Sequence, residues 1–187
     1  MWREGHNGWR GAAMATSALI PVGEYLTTSY SPDCDYVDGE IQERNVGEED
    51  HSDLQARLLD LLRTEANQRF IRAKPELRVQ VKSTRFRVPD ILVRLRPAPK
   101  EQIIRTPPVL CIEVLSPEDT MKRVRERVRD YLDMGVPEVW IVDGPSRTVT
   151  VCKGMNAVEQ SEGTLAVPRT PITLTIAEIF GVLDELD

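Results

Sequence analysis

Residues 87–96 read R-V-P-D-I-L-V-R-L-R, and residues 107–120 read P-P-V-L-C-I-E-V-L-S-P-E-D-T. Each run carries one carboxylate where an apolar strand is expected. Asp90 follows Pro89 at the start of the first run, and Glu113 interrupts the second. With side chains alternating along a strand, Val109, Cys111, Glu113 and Leu115 share one face, while Leu110, Ile112 and Val114 share the other. Both faces are otherwise apolar, so an uncompensated carboxylate there costs several kcal/mol or takes up a proton. A cation resolves that cost. Two carboxylates on neighbouring strands are the hard oxygen ligands that Mg²⁺ or Mn²⁺ prefers, which makes Asp90 and Glu113 the candidate metal ligands. The blander assignment leaves Asp90 as a turn residue and pairs Glu113 with one of the chain's many arginines.

Working outward, 187 residues with 41% hydrophobic content suit one domain with a sizeable core. Residues 1–13 show no periodicity and are read as a disordered extension or a misassigned start, with a single domain over residues 14–187. The apolar part from Ala12 to Val22 is a poor secretion signal, and no run is long enough to span a membrane. Cys34, Cys111 and Cys152 are odd in number and lack metal-site spacing, which suits a reducing compartment and predicts a cytoplasmic location.

Upstream, V-G-E-Y-L-T-T predicts a short helix. Asp38-Gly39 between Tyr36-Val37 and Ile41 predicts a type I′ hairpin. Leu54, Leu58, Leu61 and Leu62 mark one face of a helix expected over His51 to Phe70. The alternation in E-L-R-V-Q-V-K predicts a half-buried strand, followed by the strands carrying Asp90 and Glu113. Ser116 as N-cap and Pro117 at the first helical position predict a helix directly after the Glu113 strand, closed by Gly135. Val139–Val142 and Val149–Val151 follow as strands, then a last strand and a short terminal helix. The order from His51 to Asp143 is helix, three strands, helix, strand. This predicts an α/β fold with a mixed sheet, a helix on each face and the carboxylates at one end.

Y-V-D-G-E at residues 36–40, D-H-S at 50–52, R-F-R-V-P-D at 85–90, E-V-L-S-P at 113–117 and Y-L-D-M-G-V-P-E-V-W-I-V-D at 131–143 together resemble the Uma-type family of restriction endonucleases, in the PD-(D/E)XK nuclease superfamily. The likeness runs from about Val22 to Phe180. It implies a restriction-endonuclease-like α-β-β-β-α-β core, DNA as the partner, a divalent metal, and Glu40 and His51 near the active pocket. The superfamily's motif ends in a lysine two residues past the second carboxylate, but this chain has Leu115 there. The resembling family commonly supplies a lysine from the following helix, and the matching position is Arg127. A guanidinium stays charged and cannot act as a general base, yet it can clamp a phosphate through paired donors. Lys82 is a second candidate donor, with a solvent-facing strand lysine as its ordinary explanation.

A net charge of −6 argues against a sequence-independent DNA coat. Charge is locally different: Lys122 to Arg129 holds five bases and one acid, and Arg85, Arg87, Arg94 and Arg96 flank Asp90. The leading expectation is a Mg²⁺- or Mn²⁺-dependent DNA endonuclease working as a homodimer, with Asp90, Glu113 and Arg127 as its catalytic set. The alternative is a catalytically impaired nuclease fold serving as a nucleic-acid-binding or assembly module, which Leu115 and Arg127 keep open.

Overall fold

The computed structural model describes residues 19–31, 33–44 and 48–184, so the extension expected at residues 1–13 lies outside the described residues. Helix α1 (Val22–Thr27) precedes a hairpin of β1 (Asp35–Val37) and β2 (Glu40–Gln42). Asp38 and Gly39 both take positive φ, 52° and 102°, as a type I′ turn requires. Helix α2 (Glu49–Leu62) is followed by β3 (Ile71–Pro75), β4 (Val79–Lys82), β5 (Arg85–Arg87), β6 (Ile91–Leu95) and β7 (Leu110–Val114). Then come α3 (Met121–Met134), β8 (Val139–Asp143), β9 (Thr148–Lys153), β10 (Asn156–Gln160), β11 (Thr164–Ala166), β12 (Thr173–Thr175) and α4 (Ile176–Phe180).

Six strands form the main sheet in the order β10-β9-β8-β7-β6-β3. Only β7 and β8 run parallel within it, and α3 is the crossover that joins them. The strand period of two sorts its side chains. Ile91, Val93, Leu110, Ile112 and Val114 pack with Leu54, Leu58 and Leu62 of α2. Leu92, Cys111, Val139 and Ile141 pack with Val124, Val128 and Tyr131 of α3. The sheet is therefore mixed and has a helix on each face. A second sheet, β2-β1-β5-β4, carries its own aromatic cluster of Tyr25, Tyr36 and Phe86.

Three sequence expectations are corrected here. The strand read at E-L-R-V-Q-V-K is β4, which belongs to the second sheet; the first strand of the main sheet is β3, in I-R-A-K-P. Helix α2 stops at Leu62, not Phe70, because side-chain amides take its last carbonyls: Asn67 Nδ2 donates to Leu61 O at 3.0 Å and Gln68 Nε2 to Arg63 O at 2.9 Å. Helix α3 begins at Met121, with Thr120 as N-cap, not Ser116. Asp119 Oδ2 accepts from Ser116 N at 3.0 Å, which folds residues 116–119 into a turn before the helix. The closure at Gly135 is as expected: its φ is 104°, and Val136 N donates back to Tyr131 O at 3.1 Å.

Candidate active site

The antiparallel register of β6 on β7 pairs Ile91 with Ile112, so one further step sets Asp90 beside Glu113 at one end of the sheet. Both carboxylates are 2% exposed. Other elements converge on them. The irregular segment after β2 supplies Glu43 and Arg44, the first turn of α2 supplies His51, the 116–119 turn supplies Ser116 and Asp119, and α3 supplies Arg123 and Arg127. On α3, Arg127 and Tyr131 are four residues apart and so share a face, which is the one turned to Glu113.

Each carboxylate oxygen already has a protein partner. Asp90 Oδ2 accepts the Val114 amide at 2.7 Å and lies 3.6 Å from His51 Nε2, while Arg44 Nη2 contacts Oδ1. Glu113 Oε1 accepts from the Tyr131 hydroxyl at 2.7 Å, and Oε2 lies 2.8 Å from Arg127 Nε. Arg127 Nη2 also donates to Asp119 at 3.0 Å. The Arg127 Nε proton is not aimed at Oε2, so that contact is an ion pair without an aligned hydrogen bond. The arginine pairing of Glu113 offered as the blander assignment is thus present in the fold.

The two carboxylates titrate differently because their surroundings differ. Burial pushes Asp90 up, but His51, Arg44 and the Val114 amide together hold it below the usual carboxylate range. Burial pushes Glu113 up to about 7, the Arg127 charge opposing and the Asp90 charge adding to the rise. His51 holds its proton more tightly than a free imidazole because of its contact with Asp90. Burial raises Tyr131 well above the phenol range, so it remains a donor to Glu113.

The donor chemistry fits a hard divalent ion. Among the described residues no group of three or more His, Cys, Asp or Glu could hold a metal by itself. A closed zinc-type cage is therefore absent from them. Mg²⁺ needs no such cage, since it is commonly held by one or two carboxylates and completes its shell with water and substrate phosphate. Four carboxylates (Glu43, Asp90, Glu113, Asp119) line the pocket together with three guanidiniums (Arg44, Arg123, Arg127) and the His51 imidazole.

Of the residues singled out from sequence, Asp90, Glu113, Arg127 and His51 are brought together. Glu40 and Lys82 are not. Glu40 is exposed on β2, outside the pocket lining, and Lys82 points to Asp130 and Asp133 of α3 at 3.5 and 3.3 Å. Sequence reasoning missed Arg44, Asp119 and Arg123. Asp119 was visible only as a polar residue near a helix start, and Arg123 only as one of a run of bases. Arg44 gave no local signal at all.

A mixed sheet covered by one helix on each side, with an acidic pair at a strand end, defines a nuclease-like α/β protein. The Uma2 family model, described as "Putative restriction endonuclease", matches residues 24–177, and the chain belongs to this family. No curated protein matches it. Among solved structures, it is similar to a crystal structure of "a putative nuclease" from Anabaena variabilis ATCC 29413, with a TM-score of 0.75 and 24% identity. The match covers 86% of this chain and 97% of that one, and it speaks for the fold. No helix among the described residues is long and apolar enough to cross a membrane.

Proposed function

We propose that the protein is a metal-dependent DNA endonuclease hydrolysing phosphodiester bonds, with Asp90 and Glu113 holding Mg²⁺ or Mn²⁺. The observation that carries this is the pair of buried carboxylates set side by side at a strand end, inside a pocket walled by three arginines. When bound, the ion lowers the pKa of a water and offsets charge developing on the phosphate. The protein's own groups do the rest. Tyr131 and the Val114 amide fix the two carboxylates in orientation through their hydrogen bonds. Arg127 uses part of its five-donor fork on Glu113 and Asp119, and as a lining residue of the pocket it would give its remaining donors to a bound phosphate. Arg123, exposed at the pocket rim, adds a second phosphate donor. His51 lies 3.6 Å from Asp90 Oδ2, and this contact raises its affinity for a proton. Incubation of supercoiled plasmid with Mg²⁺ or Mn²⁺ should give nicked and linear products that EDTA suppresses. Intact plasmid under all these conditions rejects the reading.

A second reading is favoured by two observations. Leu115 stands where the superfamily's motif places a lysine, and every oxygen of both carboxylates is already engaged by a protein group. On that reading the pocket is internally neutralised, and the fold binds nucleic acid without cutting it. Arg127→Ala separates the two. In an active nuclease it removes most cleavage and Arg127→Lys retains some, whereas in a binding module neither variant has cleavage to lose.

A further inference from the structure

A cluster of positive charge outside the pocket lies along the β3 edge of the main sheet. A groove there is lined by Arg63, Arg72, Lys74, Arg94, Arg96 and Lys100 against a single acid, Glu101, in a chain of net charge −6. Register builds it. Arg72 and Arg94 stand directly opposite each other on β3 and β6, a like-charge arrangement that weakens an antiparallel pair. Glu101 takes Arg94 at 2.5 Å. Arg63 and Arg96 turn Nε onto the Ala73 and Ile71 carbonyls at 3.0 and 3.1 Å, which covers the sheet edge, and neither pairs with a carboxylate among the described residues. Arg72, Lys74 and Lys100 have no carboxylate partner among the described residues. One acid therefore answers six cations, and such a surface is satisfied by an anion that bridges several of them.

The groove is also aligned with the pocket. Strand β6 leaves Asp90 and runs along it, so at about 3.3 Å per residue Arg94 lies roughly 13 Å down the strand from Asp90, with Arg96 one residue beyond the strand's end. A duplex carries one phosphate per strand every ~3.4 Å of its axis, so this length spans about four nucleotides. An occupant with regularly repeated negative charge suits it better than one isolated anion.

We propose that this groove is a phosphate tract that holds the backbone of duplex DNA flanking the bond addressed at the Asp90–Glu113 pocket. It rests on the nuclease reading for what happens in the pocket, and on its own charge for binding. The tract fixes where the duplex lies without reading its sequence, as phosphate contacts do.

The test is fluorescence-anisotropy titration of a labelled duplex of about thirty base pairs, in EDTA, over a range of KCl concentrations. Three proteins are compared: wild type, the triple variant Arg72→Gln/Lys74→Gln/Lys100→Gln, and a charge-matched control, Lys122→Gln/Arg125→Gln/Arg129→Gln on α3. Each phosphate contact contributes about 0.9 to the slope of log affinity against log salt, so the groove variant should lose about two to three units of slope. Its affinity at low salt should fall on the order of tenfold. The control should keep most of the wild-type slope, and Mn²⁺ affinity and the melting temperature should be unchanged in the groove variant. An unchanged slope in that variant overturns the tract, and so does an equal loss in the control or a wild type that does not bind duplex. Plasmid cleavage on the same proteins keeps the two ideas apart. Cleavage with an unaltered slope rejects the tract alone, while groove-dependent binding with no cleavage rejects the nuclease reading alone.

Discussion

Glu113 illustrates how far one residue's surroundings decide its chemistry. Its carboxyl is raised to about 7 from an ordinary value near 4.5, so the folded protein holds that proton more tightly than the unfolded chain. The group's contribution to stability is therefore fully present below about pH 4.5 and is lost as pH rises through 7. In EDTA, the melting temperature of wild type should fall relative to Glu113→Gln between pH 5 and pH 8, and parallel curves reject the shift. Metal binding reverses the preference, because a ligating carboxylate must be ionised. Mn²⁺ affinity measured by calorimetry should rise with pH up to about 7 and then level off. The Glu113→Gln and Asp90→Ala variants should bind no Mn²⁺ while remaining folded. Arg44 belongs to the same argument, since its guanidinium contacts Asp90 Oδ1 and would compete there with the proposed ion. Arg44→Ala should tighten Mn²⁺ binding by about tenfold, or about 1.4 kcal/mol. An unchanged or weaker affinity shows that Arg44 does not compete. Sequence exposed the two carboxylates because charge inside apolar runs is conspicuous. It did not expose Arg44, which reaches Asp90 only through tertiary folding.

At the level of elements, the strongest parts of the sequence signal came from punctuation with a single structural solution. Asp38-Gly39 and Gly135 fixed a hairpin and a helix end, since each requires positive φ. The Glu113 strand and its parallel partner were legible as short apolar runs around an amphipathic helix. The failures lie where side chains override propensity. Strand β3 was hidden because I-R-A-K-P is an edge strand whose second face carries Arg72 and Lys74, and the start of α3 was displaced by Asp119 turning back to Ser116. What seats α3 was invisible for the same reason. Asp130, 2% exposed, lies 2.7 Å from Arg87 Nη2, and Arg87 in turn donates to Asp35 at 2.9 Å, tying the helix to the second sheet. Tyr131 and Arg127 are its near neighbours on the helix, so this tie also sets their approach to Glu113. Asp130→Ala leaves a buried arginine short of one partner and should cost about 3–5 kcal/mol in urea denaturation. A loss below about 1 kcal/mol assigns Arg87 to Asp35 alone.

For the molecule as a whole, the proposed endonuclease reading sets one Asp90–Glu113 pocket per chain against a duplex with two strands of opposite polarity. A single pocket cuts both strands only by releasing and rebinding the duplex, which lets nicked circles accumulate first. Two pockets related by a two-fold axis meet the two strands in equivalent orientation, and two-fold dimers are the commonest closed assembly of soluble proteins. The net charge of −6 also bears on the assembly, because association has to occur where surfaces of like charge are not forced together. A homodimer is the expected working form. Light scattering at the concentration used for cleavage should give twice the chain mass of 21.2 kDa. Time courses on supercoiled plasmid should then show linear DNA appearing without a preceding peak of nicked circles. Diluting the protein below its dimerisation range should convert that pattern to sequential nicking, with the linear product lagging. A monomer by scattering that still linearises plasmid without a nicked intermediate removes the two-fold argument, because one pocket would then be reaching both strands in a single binding event.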